Sequence, residues 1–199
     1  KEAFNIIKKV FESGVCVSPL INEELGEING KTGYIIKTIC GTTIDGILLK
    51  NGIPTIPQYG GLVSIEDYAP TKFSELISYK KTSISPLEAF IAKDMTSVLN
   101  VVEDGNGDIP ANFRTIPGSN LEKAKEIIEN LKKCGIGGVL EIGEIGESLL
   151  GIPVPEDMVG IAVVGGITPF CAAQEIGYDV DIKTGEELFD YSKLKEIKT

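Results

Sequence analysis

A lone arginine is the residue in this sequence best suited to binding a small anion. Of the 19 basic residues, Arg114 is the single arginine and the others are lysines. A guanidinium group presents a rigid planar fork that matches a carboxylate or phosphate with two parallel hydrogen bonds. Neutral donors occur on the same central stretch of the chain: Asn112, Thr96, Ser97, Thr82 and Ser83. Arg114 is therefore a candidate anion clamp, with the alternative that it pairs with one of the protein's own acidic residues.

These six residues together predict a binding site for a dicarboxylate or a keto acid. A ligand of about ten atoms with micromolar affinity needs about −8 kcal/mol, which lies below a ceiling of about 1.5 kcal/mol per atom for very small ligands. A few charge-assisted hydrogen bonds, at about 1.5–3 kcal/mol each, are enough to reach that value. Such a site needs no catalytic base or nucleophile, so the prediction is a binding domain and not an enzyme.

The composition excludes several kinds of chemistry. The sequence contains no histidine, which removes Ser-His-Asp and Cys-His catalysis and every His-ligated metal site. Its cysteines form no CxxC pair, so neither a zinc ribbon nor a redox dithiol is predicted. Cys171 falls in the first turn of a predicted helix, but its apolar neighbours favour a packed cysteine over a nucleophile. We predict no metal and no cofactor.

Charge and length narrow the possible partners. The net charge of −10 argues against nucleic-acid binding by this chain itself, because phosphate contacts need clustered lysine and arginine. No stretch reaches the length of a membrane span, and no signal peptide opens the sequence. With no secretion signal the cysteines are expected to be reduced, which predicts a cytoplasmic protein. Because the sequence begins at Lys1, we expect it to be part of a longer protein.

The central stretch, residues 80–117, is predicted to position the candidate site. Ser85 as N-cap, followed by Pro86 and by Glu88 at the capping-box position, predicts a helix start; capping explains Ser85 without a ligand. The apolar residues 98–102 predict a strand and residues 104–108 a turn. Residues 109–116 predict a second strand, which carries Arg114.

Elsewhere the patterns alternate between helix and strand. The predicted elements are a helix over residues 1–12, strands over 15–17 and 33–40, a loop or short helix over 22–30, a helix capped by Thr43, a turn at 59–61, a strand over 62–66, an extended segment or short helix over 73–79, a helix capped by Ser119, strands over 136–142 and 159–164, and a helix capped by Thr168. The strand over 33–40 is expected to be buried on both faces, since its apolar run is almost continuous.

A weak internal repeat organises these elements. The order helix, strand, strand, helix occurs in residues 1–60 and again in residues 119–185, with residues 62–117 as an insert that carries a helix and a hairpin. We therefore predict a mixed α/β (α+β) fold, a single domain over residues 1–199, in which two halves are related by a pseudo-twofold axis.

Four segments resemble the regulatory domain of the NrpR family of archaeal nitrogen repressors. They are KTSISPLEAFIAKDMTSV, GDIPANFRTIP, GIGGVLEIG and VGIAVVGGITPFCAA. The resemblance implies a sensor of 2-oxoglutarate, and because sensors of this kind are usually symmetric dimers, we expect a homodimer. It also implies that operator DNA is bound by a winged-helix segment that this sequence does not contain. The motifs do not supply the family's ligand contacts, so the assignment of the six site residues remains our own prediction.

Two other functions stay open at this point. The chain could be an enzyme acting on a keto acid, with Cys171 or a lysine as nucleophile. It could also be a purely structural dimerisation domain in which Arg114 closes an interface ion pair. The leading hypothesis is a non-enzymatic module in which ligand binding shifts an equilibrium between two subunit arrangements.

Overall fold

The structure, a computed structural model, describes residues 2–28, 30–83, 85–182 and 188–197. Within these ranges the helices are Glu2–Ser13 (α1), Thr42–Lys50 (α2), Pro86–Ile91 (α3), Val98–Asp104 (α4), Leu121–Lys133 (α5) and Thr168–Glu175 (α6). The strands are Leu20–Ile28 (β1), Lys31–Thr38 (β2), Ile56–Glu66 (β3), Ala69–Ser78 (β4), Gly107–Pro117 (β5), Val139–Ile142 (β6), Met158–Val164 (β7) and Lys195–Glu196 (β8). The predicted mixed α/β class is confirmed.

Two antiparallel sheets form the framework. The larger sheet has the strand order β4-β3-β5-β7-β6, and the smaller one has the order β2-β1-β8. Strand β5 occupies the centre of the larger sheet, where Asn112 pairs with Gly60 of β3 on one side and with Val163 of β7 on the other. The strand that carries Arg114 is therefore held by hydrogen bonds along both edges.

The two faces of β5 have different surroundings, because successive side chains of a strand point to opposite faces. Phe113 lies in an apolar cluster with Leu149 and Ile152, and its ring meets the Phe73 ring edge-on at 5.9 Å. Arg114 points to the opposite face, towards α2. The central strand thus presents an apolar anchor and a buried charge on neighbouring residues.

The segment predicted as a strand over residues 98–102 is a helix, α4. Its apolar residues Val98 and Val101 are buried at a spacing of one helical turn, whereas the composition of the segment, three valines and a leucine in five residues, favours a strand. A tertiary contact stabilises the helix: the carboxylate of Glu175 accepts hydrogen bonds from the backbone N–H groups of Val98 and Leu99 at 2.7 and 3.0 Å. Of the predicted turn at residues 104–108, Asp104 is the last residue of α4 and residues 107–108 already belong to β5. Gly105, with φ +79°, ends the helix.

The small sheet also corrects the sequence prediction. Residues 22–30 were predicted as a loop or short helix, but β1 runs through them and pairs with β2 from Ile21↔Thr38 to Ile28↔Lys31. Pairing with β2 along almost its whole length overrides the low strand propensity of its acidic residues. The predicted burial of β2 on both faces is wrong, since Tyr34 is 42% exposed. The predicted strand over 15–17 is irregular: the Val17 carbonyl accepts from Gly137 N–H, and Cys16 and Val17 contribute buried side chains to the core.

The predicted turn at residues 59–61 lies within β3. A Cβ on Gly61 would collide with the carbonyl oxygen of Glu75 on the neighbouring strand. The glycine is therefore there to let β4 approach β3, and not to reverse the chain. The pattern of residues 73–79 is compatible with an extended segment or a short helix, and in the structure all but the last of them belong to β4. Helix α2 begins at Thr42 with Gly41 as its N-cap, two residues before the predicted Thr43 cap.

The proposed repeat keeps its element order in the structure. Both α1-β1-β2-α2 and α5-β6-β7-α6 read helix, strand, strand, helix. The two hairpins belong to different sheets, so an internal duplication stays a prediction. Among the described residues, no helix has the length and apolar character required to span a membrane.

Candidate functional site

Arg114 is buried at the centre of the larger sheet and already faces a carboxylate. Its side chain is 3% exposed, and Nη1 lies 2.6 Å from Oδ2 of Asp45. The same nitrogen donates a hydrogen bond of 3.3 Å to the carbonyl oxygen of Gly41. Asp45 belongs to the first turn of α2, where a negative charge is also favoured by the helix dipole. The guanidinium is thus tied to the start of a helix and does not point into open solvent.

The ion pair is incomplete. Only one guanidinium nitrogen contacts one carboxylate oxygen, whereas arginine–carboxylate pairs frequently form two parallel hydrogen bonds. Nε of Arg114 and Oδ1 of Asp45 are both buried, and neither has a hydrogen-bond partner within the described part of the chain. Buried groups of this kind are uncommon in folded proteins and call for an explanation, such as an absent water, ion or ligand.

Tyr79 and Asn112 extend this polar group. Asn112 lies two residues before Arg114 on β5 and so shares its face. The Tyr79 hydroxyl donates to Oδ1 of Asn112. Burial raises the pKa of Tyr79, the charge of Arg114 lowers it, and Cys40 and Asp45 raise it further. We call Arg114, Asp45, Asn112 and Tyr79 the Arg114 cluster.

Small residues keep the Arg114 cluster compact. A Cβ on Gly60 of β3 would lie 2.7 Å from Cβ of Pro86 and 3.1 Å from the Tyr79 hydroxyl oxygen. Any side chain at this position would push α3 and Tyr79 away from the sheet. The glycine therefore brings the tyrosine within reach of Asn112.

The structure brings together only part of the six predicted residues. Arg114 and Asn112 are neighbours in the Arg114 cluster. Thr82 and Ser83 follow Tyr79 by three and four residues, directly after the short 3-10 helix Tyr79–Lys81. Thr82 is half-buried and Ser83 is exposed.

Thr96 and Ser97 lie elsewhere and have structural partners. The Thr96 hydroxyl donates to Glu175 at 2.7 Å, and the Ser97 hydroxyl accepts from the N–H of Asp108 at 2.7 Å. Asp108 precedes Arg114 by six residues on β5, a separation of about 20 Å at the usual rise per residue. These two hydroxyl groups support the start of α4 and are too far from Arg114 to share a small ligand with it.

Sequence reasoning missed Asp45 and Tyr79. Asp45 had one usable signal, since it occupies the first turn of a predicted helix that follows a predicted strand. Tyr79 had none, because its pairing with Asn112 depends on the sheet order β4-β3-β5. Both residues reach Arg114 only through long-range packing.

The Cys16 and Cys171 thiols are buried and poorly suited to act as nucleophiles. Cys171 is fully buried, and its Sγ donates to the carbonyl oxygen of Ile167 at 3.4 Å. Burial, with a smaller contribution from the charge of Glu175, raises the pKa of the Cys171 thiol far above its usual value. Burial also raises the pKa of Cys16 to about 11. In the described ranges, no three His, Cys, Asp or Glu side chains are grouped so as to hold a metal ion.

Alkylation should separate the cysteines in the folded protein. With a pKa of about 11, roughly one Cys16 thiol in a thousand is ionised at pH 8, and Cys171 is less accessible still. Cys134 is exposed. We expect iodoacetamide at pH 8 to label Cys134 at least 100-fold faster than Cys16 or Cys171, measured by mass spectrometry of digests. Labelling of Cys171 at the rate of Cys134 would restore it as a candidate nucleophile.

Two cavities of the described surface lie away from the Arg114 cluster. One, of about 480 Å³, is lined by Phe11, Gly14, Gly135 and Gly138 among others. The other, of about 550 Å³, is lined by residues that include Lys8, Lys193 and Lys195. None of the six predicted site residues lines either cavity. Because the Arg114 side chain is only 3% exposed, a ligand that contacts it requires the Arg114 cluster to open.

Comparison with known proteins gives consistent results. A family model for the NrpR regulatory domains NRD1 and 2 matches residues 1–196. The global nitrogen regulator NrpRI of Methanosarcina mazei is 41% identical over 196 residues, which is 96% of this chain and 61% of that protein. The global nitrogen regulator NrpR of Methanococcus maripaludis is 41% identical over 192 residues, which is 96% of this chain and 34% of that protein.

A solved structure agrees as well. The crystal structure of a nitrogen repressor-like protein from Methanococcus jannaschii matches with a TM-score of 0.81 and 33% identity, over 99% of this chain and 82% of that one. The chain spans between about one third and 61% of the length of the curated relatives it matches.

Proposed function

Because this chain belongs to the family of NrpR regulatory domains, we propose that it is the effector-sensing part of a repressor of nitrogen-assimilation genes, with 2-oxoglutarate as the effector. The names of the relatives, global nitrogen regulators, support the regulatory role. The buried Arg114 with an unpartnered Nε is the observation that supports a carboxylate ligand.

The Arg114 cluster has the chemistry that a keto diacid requires. One ligand carboxylate would contact the Arg114 guanidinium, where Nε and a terminal nitrogen offer two parallel donors. Asn112 accepts from Tyr79 with Oδ1, so its amide nitrogen is the part that donates to a ligand. Thr82 and Ser83, just beyond Tyr79, are proposed to contact the distal end of the ligand. Thr96 and Ser97 are outside this set, because their partners hold them at α4.

The proposed role is binding without turnover. The buried Cys171 thiol, with its raised pKa, is a poor nucleophile, and the relatives are named as regulators. We propose that two copies of the chain associate, and that the ligand shifts their arrangement and thereby a DNA-binding segment elsewhere in the protein.

Titration calorimetry with 2-oxoglutarate tests this proposal. Arg114→Lys keeps the positive charge beside Asp45 but removes the planar fork, so it should fold and lose the two-point contact. We expect saturable binding to the wild type and at least a tenfold weaker affinity in Arg114→Lys. Lys133→Ala, which removes an exposed positive charge on α5, serves as the matched control and should bind as the wild type does.

Two results would count against the proposal. Absence of binding to the wild type, by calorimetry and by thermal shift, would remove 2-oxoglutarate as the effector. Unchanged affinity in Arg114→Lys would move the site away from the Arg114 cluster.

A further inference from the structure

We infer that Asp45 is an internal competitor of the ligand: its carboxylate neutralises the single guanidinium that an effector carboxylate would also have to bind. This inference rests on the proposed function, in that it names how the proposed site is regulated. Asp45 would lower the affinity of the site for the effector, and its release would allow α2 to move when the effector binds.

The positions of the two side chains favour exchange at this point. Arg114 is 3% exposed, whereas Asp45 retains 17% exposure. Asp45 is therefore the more accessible partner of the pair, whereas the guanidinium has almost no contact with solvent. Moving α2 outward is the direct way to expose the guanidinium.

The incomplete pairing makes the exchange energetically feasible. Asp45 gives Arg114 one close contact and leaves one buried nitrogen and one buried oxygen without partners. A free carboxylate can align with two guanidinium N–H groups. Its binding would satisfy Nε and return Asp45 to water, where both of its oxygens are solvated. The Asp45 pair is thus a weaker version of the contact that the ligand would make.

Charge repulsion makes the two contacts mutually exclusive. A bound diacid and Asp45 would bring three negative charges to one guanidinium. Two carboxylates held against one guanidinium repel each other strongly where water is largely excluded. No second arginine exists in the chain to offset this repulsion. Ligand binding and release of Asp45 are therefore one step.

Release of Asp45 would be transmitted through α2. This helix starts four residues after the end of β2 in the smaller sheet, while Arg114 belongs to the larger sheet. Two polar contacts join α2 to the larger sheet: the Asp45–Arg114 ion pair and the Arg114–Gly41 hydrogen bond. Ile44 and Leu48 remain as apolar contacts of α2, so loss of the polar contacts permits a shift of the helix without unfolding it.

The experiment compares Asp45→Asn with the wild type and with Asp157→Asn, which removes an equal but exposed charge. If the closed pair outweighs the open state ten to one, it weakens the apparent affinity about tenfold. We expect 2-oxoglutarate to bind Asp45→Asn about tenfold more tightly than it binds the wild type or Asp157→Asn. Equal or weaker binding to Asp45→Asn would overturn the inference.

A second measurement does not depend on the identity of the effector. Asp45→Ala leaves an empty position beside Arg114 that formate can fill. We expect formate to raise the melting temperature of Asp45→Ala saturably, relative to chloride at equal ionic strength, and to leave the wild type unchanged. Rescue by formate without any binding of 2-oxoglutarate to the wild type would support the carboxylate position and reject the proposed effector. Lack of rescue would overturn the inference.

Discussion

Replacing Arg114 by methionine lowers the free energy of unfolding by about 3 kcal/mol. The substitution leaves Asp45 as an uncompensated carboxylate, and breaking one side of a buried ion pair costs about 3–5 kcal/mol. We expect the lower end of this energy range because the Asp45 side chain is 17% exposed. The sequence contains no tryptophan, so urea unfolding is best followed by far-UV circular dichroism.

The double variant Arg114→Met with Asp45→Leu is the control for this prediction. Apolar residues in place of both charges remove the need to bury either, and such replacements are often neutral. We expect the double variant to recover at least half of the loss. If the losses of the two single variants simply add, the residues do not interact energetically, and the observed contact does not stabilise the fold.

Replacing Glu175 by alanine should cost about 2–4 kcal/mol. The Glu175 carboxylate accepts from the Thr96 hydroxyl and from the N–H groups of Val98 and Leu99, at distances of 2.7, 2.7 and 3.0 Å. It therefore acts as the N-terminal cap of α4 from another helix. A lost cap costs about 0.5–2 kcal/mol, and a hydrogen bond to a charged group about 1.5–3 kcal/mol.

Amide hydrogen exchange gives a local test of the same substitution. In Glu175→Ala the amide protons of Val98 and Leu99 should exchange at least tenfold faster than in the wild type. Glu126→Ala, at an exposed position on α5, should change neither these rates nor the stability by more than about 0.5 kcal/mol. Unchanged exchange at Val98 and Leu99 would show that Glu175 does not cap α4.

Much of the fold was predictable because its signals are local. Helices α1 and α5 carry apolar residues on one face, and each is followed by a glycine with positive φ, Gly14 at +81° and Gly135 at +75°. Strand β7 is an apolar run that is buried almost throughout. Such elements need no knowledge of their neighbours to be recognised.

The elements that were predicted wrongly depend on distant partners. Strand β1 contains Glu23 and Glu24, and it forms because β2 pairs with it along its length. Helix α4 depends on Glu175, which follows it by some 70 residues in the sequence. No window of ten or fifteen residues contains this information, which is why local propensity predicts a loop or short helix for the first segment and a strand for the second.

In the candidate site, too, local signals identified some residues and long-range contacts supplied the others. The rarity of arginine selected Arg114, and its position on a strand placed Asn112 on the same face. Asp45 and Tyr79 could not be inferred, since they come from other elements. The sequence also grouped Thr96 and Ser97 with Arg114 by proximity along the chain, but α4 and the length of β5 separate them in space.

The alternative that Arg114 has a purely structural role can now be stated with a specific partner. Asp45 supplies the protein's own carboxylate, as that alternative requires, although it does so within one chain and not across an interface. A structural pair would be expected to use both guanidinium donors and both carboxylate oxygens. The unpartnered Nε and Oδ1 are what favour an exchangeable contact.

A crystal structure with 2-oxoglutarate bound is the most direct measurement of the central claim. We expect one ligand carboxylate to lie about 2.7–2.9 Å from the Arg114 guanidinium nitrogens, with Oδ2 of Asp45 moved well beyond its present 2.6 Å from Nη1. Ligand in the cavity lined by Lys8, Lys193 and Lys195, with the Arg114–Asp45 contact intact, would contradict it.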